Sequence, residues 1–152
     1  MSRAQCIVVR DDRILMVKHH QNGEEWWCLP GGGIESGEKP DAAALRELKE
    51  ECLVDGHLLR LTSTVAYSAD DYHYTYLVEI GDQAPRLGDD PDKKEGGRIL
   101  VDFGWRSLGD LSEADRCYLW TAGLLTIDSF AAEMLSWDRS PALPKKREPK
   151  NS

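Results

Sequence analysis

The chain of 152 residues is 41% hydrophobic and 30% charged, proportions that suit one compact domain with a sizeable core. Lys and Arg number 19 against 27 Asp and Glu, giving a net charge of −8 at pH 7. That balance argues against a nucleic-acid polymer as partner. An anionic substrate would need local neutralisation, by a metal ion or by a few placed Lys and Arg.

In chain order, residues 5–10 (QCIVVR) and 13–19 (RILMVKH) are short β-branched and apolar runs, and Asp11-Asp12 suits a tight hairpin turn between them. Residues 26–29 (WWCL) read as a short extended segment ended by Pro30 and three glycines. The strongest helix signal runs from residue 40 to about residue 53, with Pro40 at a first helical position and Asp41 in the first turn. Residues 58–68 and 72–80 are two further strands around Ala69-Asp70-Asp71, and the second, YHYTYLVEI, alternates well. Residues 81–97 read as a long polar loop, 98–105 as another strand, and 119–137 as one C-terminal helix. From Pro141 the run PALPKKREPKNS has the composition of a disordered tail. The expected organisation is one domain over residues 1–140 with a tail over 141–152. Strands before a helix, then more strands and another helix, predict an α+β or mixed α/β fold.

Cys6, Cys28, Cys52 and Cys117 are widely spaced with no CxxC pair, which speaks for reduced thiols rather than a zinc site or a disulfide framework. No apolar run approaches the roughly 20 residues of a membrane helix. The N-terminal MSRAQC lacks the apolar core of a signal peptide. The expectation is a cytoplasmic protein with no membrane partner.

The chemistry concentrates between Gly31 and Glu51. At about 100° per residue, Leu45, Leu48, Cys52 and Ala44 form an apolar stripe that should face the core. Glu47, Glu50 and Glu51 occupy the adjacent arc. Oxygen-only ligands grouped in this way suit hard cations such as Mg²⁺ or Mn²⁺. A solvated helix face is the ordinary reading of three glutamates taken alone. What precedes them is less ordinary: Gly31, Gly32, Gly33 and Gly37 let backbone groups approach a ligand without side-chain obstruction.

Gly32, five residues, Glu38, seven residues, then Arg46-Glu47-Leu48-Lys49-Glu50-Glu51 resembles the Nudix box, G-x5-E-x7-R-E-U-x-E-E-x-G-U with U apolar. Six fixed positions match, as do the apolar ones at Leu48 and Val54; such a match arises by chance on the order of once in 10⁷ placements. Leu29-Pro30-Gly31-Gly32 also looks like the family's entry to the box. Leu53 stands where the family has glycine. Leucine takes a left-handed cap reluctantly, so Asp55-Gly56 is the expected helix stop.

The resemblance implies an α/β/α sandwich with a mixed central sheet, and hydrolysis of a nucleoside diphosphate linked to another moiety. It implies Glu50, Glu51 and the Gly32 carbonyl as ligands of Mg²⁺ (or Mn²⁺). Glu47 would be a ligand or the base that takes the proton from the attacking water, and Arg46 would orient it. Glu38 would tie loop to helix, and the catalytic set would be Arg46, Glu47, Glu50 and Glu51. A second acidic site is often supplied by a loop after the box, and Glu95 in KKEGG is the candidate, with Asp89, Asp90 and Asp92 nearby. Gly31, Gly32, Gly33, Trp27, His19 and Tyr74 are the expected substrate contacts: backbone for phosphate, rings for stacking, the histidine for phosphate. The aromatics are equally what any strand uses for packing. Nucleoside triphosphates or modified nucleotides are the first substrate expectation, ahead of ADP-sugars and dinucleoside polyphosphates. A nucleotide sensor without turnover is the reading of another class. Family members often dimerise, so a homodimer is carried with the resemblance.

Overall fold

The computed structural model describes residues 1–89 and 97–137; the expected tail and Glu95 lie outside the described residues. Strands β1 (Arg3–Ile7), β2 (Val9–Arg10), β3 (Arg13–Gln21), β4 (Glu24–Cys28) and β5 (Gly31–Gly33) precede helix α1 (Pro40–Cys52). Then follow β6 (His57–Ser68), β7 (Asp71–Glu79), β8 (Ile99–Arg106), α2 (Glu113–Thr121) and α3 (Asp128–Trp137).

One four-stranded sheet runs β5-β1-β7-β6, with β1 and β7 parallel and the other pairs antiparallel. In the other sheet β3 pairs antiparallel with β2, β4 and β8. Two-residue turns make the β2–β3 and β3–β4 hairpins. Asp11 and Asp12 sit at φ 51° and 60°, and Asn22 and Gly23 at φ 54° and 80°, which are the left-handed angles that match strand twist.

Period two along the strands divides the core into two layers. Ala4, Cys6, Leu15, Val17 and Val78 point to one side, where Ala43, Ala44, Leu48 and Cys52 of α1 cover them. Ile7, Ile14 and Met16 point to the other, against Leu119 and Ala122 at α2 and Phe130 of α3. Each of the buried Leu, Ile, Val, Met and Phe side chains among them contributes on the order of 1.5–3 kcal/mol by leaving water. The result is the expected mixed α/β sandwich, helices on both faces of the strands.

Three expectations are corrected. The glycines after Pro30 form an extended strand, because β1 offers a free edge: Arg3, Ala4 and Gln5 pair with Gly33, Gly32 and Gly31. The single C-terminal helix is two. Gly123 adopts φ 89° and lies so close to β6 that an added Cβ would stand 2.5 Å from the Thr62 carbonyl oxygen, so the chain turns there. Helix α1 stops at Leu53 rather than at Asp55-Gly56. Leu53 takes the left-handed conformation (φ 57°, ψ 37°) and returns its N–H to the Lys49 carbonyl. Tertiary bonds hold that end: the N–H groups of Arg86 and Gly88 donate to the carbonyls of Cys52 and Glu51 at 2.9 and 2.8 Å. These are carbonyls that a helix end otherwise leaves without partners.

Leu53 is 40% exposed and carries a left-handed penalty of roughly 1–2 kcal/mol that glycine avoids. Chemical denaturation should therefore show Leu53→Gly more stable by about 0.5 kcal/mol after the greater entropy of an unfolded glycine is subtracted. Leu53→Val, β-branched at positive φ, should be less stable than wild type.

Candidate active site

The glycines of β5 present no side chains to helix α1, which lets the carboxylates of the helix come close to the strand backbone. The buried stripe of α1 consequently differs from the expected one. Glu47 and Glu51, each 1% exposed, lie inside it with Ala43, Ala44, Leu48 and Cys52, while Leu45 is only partly buried. At Gly32 the approach is tightest: an added Cβ would stand 2.5 and 2.8 Å from the two Glu47 carboxylate oxygens.

Buried carboxylates require partners. Glu51 Oε1 accepts the Gly31 N–H at 2.8 Å. Arg46 serves the others. Its Nε and Nη2 donate to the two oxygens of Glu38 at 2.8 and 2.9 Å, a two-pronged contact. Its Nη1 donates to Glu47 Oε1 at 3.0 Å and to Glu50 Oε2 at 3.2 Å, and Nη2 also reaches the Gly33 carbonyl at 3.0 Å. Glu38 further accepts the Glu35 N–H at 3.1 Å. The hydrogen bonds from Arg46 hold the Glu38 carboxyl below its usual range, and the same contact pushes the Arg46 guanidinium up.

Edge bonding alternates along β5. Cys6 N–H donates to the Pro30 carbonyl and Ile34 N–H to the Ser2 carbonyl, so the pairing turns Gly32's backbone groups toward β1. Gly31 and Gly33 are the residues whose backbone faces α1. The ligand carbonyl expected at Gly32 is therefore better placed at Gly31.

Around this strand lies a cavity of about 280 Å³. Gly31, Gly32, Gly33 and Glu47 line one side, and Arg3, Gln21 and Arg98 also border it. The two arginines were not singled out from the sequence, because only the β1–β5 pairing and the position just before β8 bring them to the glycines. Of the aromatic candidates, Trp27 is on the opposite face of β4. It packs against the α2 layer beneath the Arg106 guanidinium (4.7 Å), and Trp26 lies on the other face beside His19, with Arg98 over its ring at 5.6 Å. Strand alternation makes that choice. Tyr74 stacks beside Tyr72 at 6.3 Å on β7 and does not border the cavity. His19 does not border it either: it is fully buried, with Nε2 3.6 Å from Glu51 Oε2. Burial, with Arg98 and Arg3 nearby, pushes its imidazole down to about 4, so the ring is neutral at pH 7.

The donor set fits a hard divalent cation by its chemistry: three carboxylates, a side-chain-free backbone beside them, and a single guanidinium for Glu35, Glu38, Glu47 and Glu50 together. In the conformation described, no three His, Cys, Asp or Glu groups among the described residues stand together as a ready ligand set. Glu47 and Glu50 turn to Arg46, and Glu51 to Gly31. Among the described residues no helix is long and apolar enough to cross a membrane.

A mixed sandwich that lays a carboxylate-bearing helix over a glycine strand defines the α/β/α class of fold to which the chain conforms. A family model described as the NUDIX domain matches residues 2–121, and the chain belongs to the Nudix family. It is 40% identical over 81 residues to diphosphoinositol polyphosphate phosphohydrolase 3-alpha of Mus musculus, covering 51% of this chain and 49% of that protein. The chain thus spans about half the length of the curated relatives it matches. Among solved structures, a MutT NUDIX hydrolase from Burkholderia pseudomallei is similar at TM-score 0.62 and 27% identity, over 79% of this chain and 95% of that one. An Ap4A hydrolase of C. elegans shares the fold at TM-score 0.62 and 19% identity, over 86% of this chain and 98% of that one.

Replacing Arg46 by Ala takes the guanidinium away from Glu38 and Glu47. The loss should be about 2–3 kcal/mol, short of the roughly 3–5 kcal/mol of a fully buried pair because 24% of the Arg46 side chain is exposed. Lysine, which lacks the fork, should recover little of it. The Glu38 contribution has a defined pH window. Its folded value is depressed, so the stabilisation is complete above the ordinary carboxylate pKa and is lost as pH falls through the depressed one. Urea unfolding of Glu38→Gln against wild type should show a deficit at pH 7 that closes as the medium is acidified.

Proposed function

We propose that this chain is a Mg²⁺-dependent pyrophosphohydrolase that cleaves a nucleoside diphosphate linked to another moiety, with a nucleoside triphosphate or modified nucleotide as first choice. The observation that carries the reading is Glu47 and Glu51 buried against a glycine strand, with more carboxylates than Arg46 can neutralise. Glu50, Glu51 and the Gly31 carbonyl would hold the cation, with Glu47 beside them as the base. When bound, Mg²⁺ (or Mn²⁺) neutralises phosphate oxygens and lowers the pKa of a coordinated water.

The chain's own groups supply the rest. Glu47, buried and kept in place by Arg46 Nη1, accepts at its carboxylate the proton released as water attacks phosphorus. Arg46 also fixes the Gly33 carbonyl and Glu38, so strand, loop and helix hold one geometry through the reaction. Arg3 and Arg98, which border the same cavity as Glu47, bind the anionic oxygens of the substrate and favour its bound orientation.

A second reading is a diphosphoinositol polyphosphate, favoured by the 40% identity over 81 residues to phosphohydrolases named for that substrate and by the paired cavity arginines. The family resemblance carries a homodimer and a cytoplasmic location as further expectations, and Glu95 as an additional ligand.

Phosphate and pyrophosphate release should be measured across nucleoside triphosphates, ADP-sugars, dinucleoside polyphosphates and a diphosphoinositol polyphosphate, with Mg²⁺ and with EDTA. Glu50→Gln and Glu51→Gln should each lower turnover at least about 100-fold, and Glu95→Gln should lower it with the fold intact. Turnover indifferent to EDTA and to both box substitutions would sink the metal reading. Tight nucleotide binding without turnover on any substrate would mark a sensor.

A further inference from the structure

His19 has no hydrogen-bond partner at either ring nitrogen and no exposure to water. Leaving a buried polar group unsatisfied is destabilising, and a phenylalanine of similar shape would escape that cost. The ring is not loosely placed. It leans on Trp26, centroid to centroid 5.9 Å, and Trp26 is itself covered by Arg98. Its Nε2 points at Glu51 Oε2 across 3.6 Å, beyond the 2.7–3.2 Å of an N–H···O bond by only a few tenths of an ångström. The other oxygen of the same carboxylate is already held by the Gly31 N–H at 2.8 Å.

The terminal torsion of a glutamate is broad and weakly restrained. A donor at Oε2, opposite the Gly31 amide at Oε1, narrows that freedom and fixes which lone pairs face the glycine strand and Glu47. We propose that His19 is a positioning residue for Glu51: its neutral Nε2–H closes onto Oε2 when the acidic face takes up a divalent cation, clamping the carboxylate between the imidazole and the Gly31 amide. The unsatisfied nitrogen is the open half of that clamp. This inference rests on the cation site proposed above and adds to it a residue from β3, outside the glycine strand and the helix. The device requires the proton on Nε2, a choice that Nδ1, also without a partner, does not oppose.

Mn²⁺ binding to the full chain, followed by titration calorimetry, separates the possibilities when wild type is compared with Glu51→Gln, His19→Phe and His19→Gln. Glutamine can put an N–H near the position of Nε2, and phenylalanine fills the space without a donor. His19→Phe should lose about tenfold in Mn²⁺ affinity, as removal of an outer hydrogen-bonding partner does, while the metal-free protein melts no lower than wild type. His19→Gln should recover most of the affinity. Undiminished Mn²⁺ affinity in His19→Phe, with Glu51→Gln impaired, overturns the clamp and leaves the cation site standing. Loss in both His19 variants assigns the residue to packing and also overturns the clamp. No Mn²⁺ binding by wild type removes the cation site and the clamp together. Long-range ¹H–¹⁵N NMR of the wild-type imidazole gives a reading that needs no variant. Mg²⁺ should move the His19 Nε2–H proton downfield, and an unmoved signal at saturating Mg²⁺ counts against the clamp.

Discussion

Arg46 is the constraint on which the site depends. One guanidinium ties Glu38 in the loop, the Gly33 carbonyl of β5, and Glu47 and Glu50 of its own helix. Five N–H donors in a rigid plane allow this; the single ammonium of a lysine could not serve so many directions. Without it, α1 would bring several carboxylates against a glycine strand with little to oppose their repulsion. The loop from Ile34 to Lys39 is held to the helix through the same side chain, so the backbone at the cavity and the acidic face move as one body.

The bare backbone of β5 is the second half of the arrangement. Because Gly32 offers no Cβ, the Glu47 carboxylate can lie directly over the strand. Carboxyl groups are therefore buried where a helix normally buries carbon. Stability for α1 comes from Ala43, Ala44, Leu48 and Cys52 on the same stripe, which seal the core beside the two glutamates. The site occupies the seam between an apolar layer and a polar cavity, where a low local dielectric strengthens both the Arg46 bonds and any interaction with a cation.

Distant segments also bear on the helix. Backbone amides of Arg86 and Gly88 cap the carbonyls of Cys52 and Glu51, one turn or less from the acidic residues. Gln83 bonds the backbone of Asp55 in both directions, at 2.9 and 2.8 Å. The segment after β7 thus closes the helix end that Leu53 could not close cheaply alone. From the other side, β3 delivers His19 to Glu51 and β4 delivers Trp26 to His19. Helix, sheet and loop each contribute a contact to the same few carboxylates.

The sequence by itself determined the family, the helix from Pro40, the hairpin at Asp11-Asp12 and the clustering of Arg46, Glu47, Glu50 and Glu51 on that helix, because spacing along one helix and one loop is a local property. It also announced two adjacent tryptophans and a histidine near the site. Only the tertiary structure decided which of them meets it. Period two sends Trp26 and Trp27 to opposite faces, and neither periodicity nor composition states which face a helix will cover. The same limit hid the strand in three glycines, which exists because β1 lies alongside, and the cavity arginines Arg3 and Arg98, which lie far apart in the chain. It hid the helix end at Leu53 as well, where bonds from residues 86 and 88 outweigh a local preference. What is written in neighbouring residues could be read in order; what depends on partners dozens of positions away required the fold.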